Sequence, residues 1–241
     1  MLSDRAPYDN NNLVMALKYA IDRQEWLQKI WFGYASLGND IPIGPANRFR
    51  ATEEEIPQRG YDLDKAKYYM KQAGLSSIDL QISVADTAFQ NSDDAMVLFG
   101  ETARPAGINI EVLRKPDDGY WSNVGLVDSW CASYWGGRPT EDWMFSQVYS
   151  KNAIETGWSE TFFNHPRFEE LLVQARAELD DAKRREMYVE MQRIVHDNCS
   201  VIIPIFSSYG HACSVGVVRP DVMASNWEFD GHKNAERWWL A

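Results

Sequence analysis

Between Ser129 and Ser146 the chain reads SWCASYWGGRPTEDWMFS. Trp130, Tyr134, Trp135 and Trp143 bring ring faces, Gly136-Gly137 breaks the chain direction, and Arg138, Glu141 and Asp142 bring charge. Aromatic walls with sparse polar handles suit a cleft that holds a small molecule. A buried strand running into an ordinary loop has a similar composition, because aromatic residues are mostly core residues. The surrounding elements must decide between the two.

Bond-making chemistry has little to work with. The sequence contains no GxSxG, SxxK, HExxH, Walker A or GxGxxG pattern. His165, His196, His211 and His232 are not spaced as paired helical ligands, so neither a metal site nor a cofactor is indicated. Glu53, Glu54 and Glu55 read as solvated charge. Cys131 acts as a nucleophile only beside a base, and its neighbours supply none. The chain therefore reads as a non-enzyme. Cys131, Cys199 and Cys213 form neither a CxxC nor a zinc spacing. A Cys199–Cys213 bridge in an oxidising compartment and three buried thiols remain alternatives.

Composition narrows the partners. Across 241 residues the formal charge is −11, with no basic run to neutralise phosphates, which argues against a nucleic-acid partner. Hydrophobic residues at 45% and charged residues at 24% fit a globular protein with a substantial core. No apolar run approaches the ~20 residues of a membrane span. The opening residues MLSDRAPYDN lack the basic start and apolar stretch of a secretory signal.

The elements that must position the aromatic stretch follow from periodicity. Asn10 to Asn12 cap a helix with Leu13, Leu17, Ala20 and Ile21 on one face, and Asp22 with Glu25 reads as a capping box for a second that stops near Gly33. A Gly-, Pro- and Asn-rich loop, GNDIPIGPANRF, comes next, then a helix capped by Asp62 or Asp64 and ended by Gly74. Ile78, Leu80, Ile82 and Val84 alternate as a strand, a helix opens at Ser92 or Asp93 and stops at Gly107, and Ile108, Ile110 and Val112 alternate again. This is a βαβ unit with parallel strands. A short helix through Tyr120 and Trp121 precedes a strand expected from Leu126 to Tyr134, which places the aromatic stretch at a strand's C-terminal end, where ligands of open α/β sheets collect. Pro166 opens a helix carrying Phe168, Leu171, Leu172, Ala175 and Leu179, Asp180 or Asp181 opens another, and Val201 to Phe206 reads as a strand.

Several stretches together resemble the oligopeptide- and dipeptide-type periplasmic binding proteins of ABC transporters. NNNLVMALKYAIDRQEWLQKIWFGYA resembles that family's R-x-A-hydrophobic-x-x-AIDR helix pair, with Met15 in the arginine's place. YDLDKAKYYMKQAGL resembles its YDP-x-KAK-x-LL-x-x-AG helix, with Leu63 for the proline, and RFEELLVQARAELDDAKRREMYVEMQRIVHDNCSVIIPIF resembles its C-terminal run. WCASY resembles its W-C-A-D-Y strand end.

The resemblance implies an α/β fold: one lobe of a two-lobed (type II) periplasmic binding protein, a mixed sheet flanked by helices, with a C-terminal crossover tail. Family members are roughly twice this length, so Met1 is read as the start of a fragment whose signal peptide lies upstream. Residues 10–207 are expected as the ligand-binding lobe, and 208–241 as a segment returning toward the other lobe, with Trp227, Trp238 and Trp239 partly uncovered. The implied role is capture of a peptide or small solute and delivery to a membrane ABC permease. The expected ligand-binding residues are Trp130, Cys131, Ala132, Ser133, Tyr134, Trp135, Arg138 and Asp142. In the family the aspartate of W-C-A-D-Y pairs with the ligand ammonium; Ser133 stands there instead, so either another carboxylate serves, with Asp142 or Glu141 nearest in sequence, or the ligand is not a free-amine peptide. A non-peptide solute (opine-like, sugar or nickel chelate) is the alternative ligand class. An enzyme using Cys131 and an assembly module using the tryptophan-rich tail are the competing functions.

Overall fold

The computed structural model describes residues 1–224 and 227–241. The Asn10 side chain accepts from the Asn12 amide at the start of α1 (Asn11–Ala20), and Asp22 accepts from the Glu25 amide at the start of α2 (Arg23–Lys29). Each cap satisfies an amide that a first helical turn leaves without a partner. Glu25 does not close the capping box; it pairs with Lys29 one turn on. After β1 (Ala35–Leu37) and a long loop, Asp62 caps α3 (Leu63–Gln72).

The βαβ unit forms as its alternation requires. β2 (Ile78–Val84), α4 (Ser92–Ala103) and β3 (Ile108–Arg114) follow in order, and the two strands pair in parallel from Ile78 opposite Ile108 to Val84 opposite Arg114. Leu80, Ile82 and Val84 are buried while Asp79 and Gln81 face solvent. Asn91 occupies the cap position of α4; Ser92 instead donates to the Ala85 carbonyl.

Two expected strands are shorter than their hydrophobic runs. After α5 (Tyr120–Asn123) the chain keeps turning: the amides of Val127 and Asp128 both donate to the Val124 carbonyl, and Leu126 is left-handed at φ 63°. What remains of the Leu126–Tyr134 strand is one parallel bridge between Cys131 and Ser83. At the other place, only β4 (Ile205–Ser207) forms a ladder, antiparallel to β1. The residues before it are held by the 38–40 loop instead: the Gly38 amide donates to Pro204 and the Ile203 amide to the Asp40 carboxylate. A Cβ at position 38 would stand 2.0 Å from the Ile203 carbonyl oxygen, so this approach requires glycine.

Thr140 caps α6 (Glu141–Met144), which widens into a turn at Phe145–Tyr149 before α7 (Lys151–Glu155), α8 (Pro166–Ala177) and α9 (Asp181–Asn198). The first core gathers Leu13, Leu17, Trp26, Ile82, Phe99 and Tyr120; the second gathers Phe145, Phe168, Leu171, Tyr188 and Val195. Met1 and Tyr8 belong to the first core, and the Leu2 and Ser3 amides donate to the carbonyls of Ser129 and Thr161. The opening residues thus tie the aromatic strand end to the segment around Thr161. In the tail, β5 (Val217–Val218) pairs antiparallel with β6 (Trp239–Leu240). The fold is α/β, its strands arranged among the described residues as three separate pairs. No helix among them is long and apolar enough to cross a membrane.

Candidate functional site

A cavity of about 940 Å³ lies between elements of the two cores. Its walls are the 130–139 stretch, the 202–209 segment, Gly44 to Asn47 from the early loop, and Trp227 from the tail. The volume suits a small-molecule ligand.

The aromatic stretch divides by burial. Trp130 is only 6% exposed, its ring edge-on to Tyr8 and Phe99 at centroid distances of 6.0 and 5.9 Å, so most of it serves the core. The Trp130 carbonyl and Ala132 amide are taken by Ser83. Cys131, Ser133 and Trp135 are half-buried, and Tyr134 is exposed. All of these residues, together with Arg138, line the cavity. Arg138 also fixes its own loop: its guanidinium donates to the Gly136 carbonyl and to Gln147, and lies 5.2 Å from the Trp135 ring centroid.

The two carboxylates nearest in sequence are engaged elsewhere. Asp142 is held by Arg176 at 2.6 Å and lies off the cavity wall. Glu141 is buried and accepts from the Phe49 amide at 2.7 Å. The carboxylate that reaches Ser133 is Glu160, from the loop after α7. The Ser133 hydroxyl lies 2.8 and 2.9 Å from its two oxygens, and the Trp135 indole N–H donates to Oε2 at 2.7 Å. Burial raises the Glu160 pKa, while the Trp135 and Ser133 hydrogen bonds oppose that rise. Nothing in the local periodicity around Gly157 to Thr161 marks Glu160; the missing charge at Ser133 is the only sequence sign that a carboxylate has to come from elsewhere.

The remaining chemistry-bearing residues are accounted for structurally. Burial pushes the Cys131 thiol up to about 11, which keeps it protonated and poorly nucleophilic. Cys199 is buried, Cys213 is exposed, and all three thiols are free, so the Cys199–Cys213 bridge does not form. Among the described residues no group of His, Cys, Asp and Glu is arranged to hold a metal ion.

Behind the 202–204 wall lies a buried ion cluster. The Asp40 carboxylate accepts from Arg23 at 2.8 Å and from Arg59 at 2.6 Å, as well as from the Ile203 amide. Neighbouring Arg23, Lys18 and Arg59 outweigh the cost of burial and hold Asp40 well below the usual carboxylate range. At the mouth, the Trp227 ring lies on Gly136, where a Cβ would stand 2.8 Å from it. Trp227 is 36% and Trp239 is 55% exposed.

Known proteins share this architecture. The sequence profile of the bacterial extracellular solute-binding proteins, family 5 (middle), matches residues 1–156. The chain is 25% identical over 212 residues to the dipeptide-binding protein of Escherichia coli K12, covering 83% of the chain and 38% of that protein. It is 24% identical to heme-binding protein A of Haemophilus influenzae, with 87% and 39% covered. A dipeptide-binding protein from Pseudoalteromonas sp. SM9913, solved with Met-Leu, superposes with a TM-score of 0.74 at 21% identity, over 85% of this chain and 41% of that one. The chain thus spans about two fifths of the length of these relatives.

Proposed function

The chain belongs to family 5 of the bacterial extracellular solute-binding proteins, and from that premise we propose that it forms one wall of a cleft that captures a peptide or peptide-like solute for a membrane ABC permease. The observation that carries this reading is the cavity of about 940 Å³, walled by the Trp130–Trp135 stretch and the 202–209 segment. Residues 10–207 act as the lobe, and the tail meets the second wall. In this reading the protein works outside the cytoplasmic membrane and holds its solute without transforming it, and burial keeps the Cys131 thiol protonated and poorly nucleophilic.

In this reading Tyr134 and Trp135 offer ring surface, Cys131 and Ser133 lie at the strand end, and Arg138 offers a cation toward the cavity. Asp142, paired with Arg176 and absent from the cavity lining, has no part in this reading. Closure of a second wall over the solute is a hinge motion that buries the ligand and changes the outer shape. Relatives named for dipeptide binding, glutathione binding and peptide transport favour a peptide, with a heme-binding protein also among the relatives. Native mass spectrometry of the protein recovered from its producing cell tests the reading. A retained peptide or similar small solute supports it. A protein that retains none and gains none from a peptide library overturns it.

A further inference from the structure

Glu160 is a carboxylate with donors but no counter-ion. It lines the cavity, receives Ser133 and Trp135, and forms no ion pair with a Lys, Arg or His among the described residues. Met1 is among the residues that line the same cavity, and its buried amino group acts on Glu160 through its charge, without an ion pair. A serine hydroxyl has one hydrogen, so the two short Ser133 contacts represent one shared donor, and lone pairs on Oε1 stay open. A buried carboxylate short of partners is costly unless something positive arrives.

We propose that Glu160 is the charge-reading residue of the cleft, that it recognises a primary ammonium on the solute, and that Ser133 and Trp135 aim its carboxylate rather than meet the ammonium themselves. This rests on the solute-capture reading. It adds the ligand's charge and moves its recognition from the aromatic strand end to a loop 27 residues further along. The indole N–H and the hydroxyl fix the carboxylate plane, so an ammonium of tetrahedral geometry finds the remaining lone pairs already oriented. The Trp135 ring lines the same cavity and brings apolar surface beside the carboxylate.

The Trp135 indole N–H resonance in a ¹H–¹⁵N spectrum of the 241-residue chain is the reporter. Three probes are titrated: a pool of free-amine tripeptides, the same pool N-acetylated, and 1,4-diaminobutane. The free-amine pool is expected to shift the Trp135 signal, and the acetylated pool to bind at least ~30-fold more weakly. A response to the diamine as well assigns the preference to the ammonium alone; a response restricted to tripeptides assigns it to the ammonium within a peptide. Either supports Glu160 as the reader. Glu160→Gln keeps an acceptor for Ser133 and Trp135, so it is expected to keep the fold and lose the preference for the free amine. Equal binding of the free and acetylated pools, or an unchanged preference in Glu160→Gln, overturns the proposal and leaves solute capture standing. No cavity response to any probe overturns both.

Discussion

The Ser133 hydroxyl donates to Glu160 across 27 positions of sequence, at 2.8 Å, inside the wall of the aromatic-lined cavity. That contact joins two segments also tied by the Trp135 indole bond to Glu160 and by the Ser3 and Leu2 strap, whose amides meet Thr161 and Ser129. Replacing Ser133 by Ala leaves Glu160 with the Trp135 indole alone. The expected cost is about 1 kcal/mol in stability by chemical denaturation, with a further rise in the pH at which Glu160 protonates.

Glu160 opposes folding when ionised, and its pH dependence has a definite sign. Its folded pKa is raised, chiefly by burial, so between the ordinary glutamate value and the raised one the native state holds more protons than the unfolded chain. Stability from this group is present at low pH and lost as pH rises through the folded pKa. The groups that act on it across the cavity are the Met1 amine and, by their mutual influence, Cys131, Tyr120 and Tyr149. Glu160→Gln is expected to be at least as stable as the parent at pH 7. That advantage shrinks as pH falls into the ordinary glutamate range, read from denaturation midpoints at matched ionic strength.

Asp40 is the opposite case. Its pKa is depressed, so its contribution is present above the usual carboxylate range and lost as pH falls through the folded value. Asp40→Ala leaves Arg23 and Arg59 buried without their counter-ion and frees the Ile203 amide. Urea denaturation at pH 7 should show a loss of about 3–5 kcal/mol. A loss below 1 kcal/mol would mean that the cluster does not hold the 202–204 wall.

Asp142→Asn removes an ion pair with Arg176 whose partners are 27% and 49% exposed. Pairs of that kind contribute about 0–1 kcal/mol. Thermal unfolding should barely move, and the response of the Trp135 resonance to free-amine tripeptides should stay as it is in the parent.

Gly136→Ala puts a methyl group where the Trp227 ring already lies. The expected outcome is displacement of Trp227 with the cores intact. Hydrogen exchange should accelerate in the tail beyond Ser208 while α8 and α9 keep their protection. Uniform acceleration across the chain would contradict the local reading.

The legibility of these features in the sequence tracks how local their causes are. Asn10, Asp22, Asp62 and Asp180 are helix caps because a short side chain reaches amides two or three residues on, and sequence displays that directly. The β2–β3 pairing follows from strict alternation on either side of one helix. The Leu126–Tyr134 run misleads because its apolar residues belong partly to a turn around Val124 and Leu126 rather than to a ladder. The Val201–Phe206 run misleads because Gly38 and Asp40, more than 160 residues away, take its backbone. Glu160 is the same kind of case. Its loop has no periodicity, and only the fold brings it to Ser133.

The central claim, solute capture against the aromatic wall, is tested most directly by hydrogen–deuterium exchange of the chain with and without saturating free-amine tripeptides. Joint protection of residues 130–138, 158–161 and 202–209, with the solvent face of β2 and β3 unchanged, is the result this account predicts. Protection confined to the β2–β3 face or to α8 and α9, with the aromatic wall exchanging as before, would contradict it.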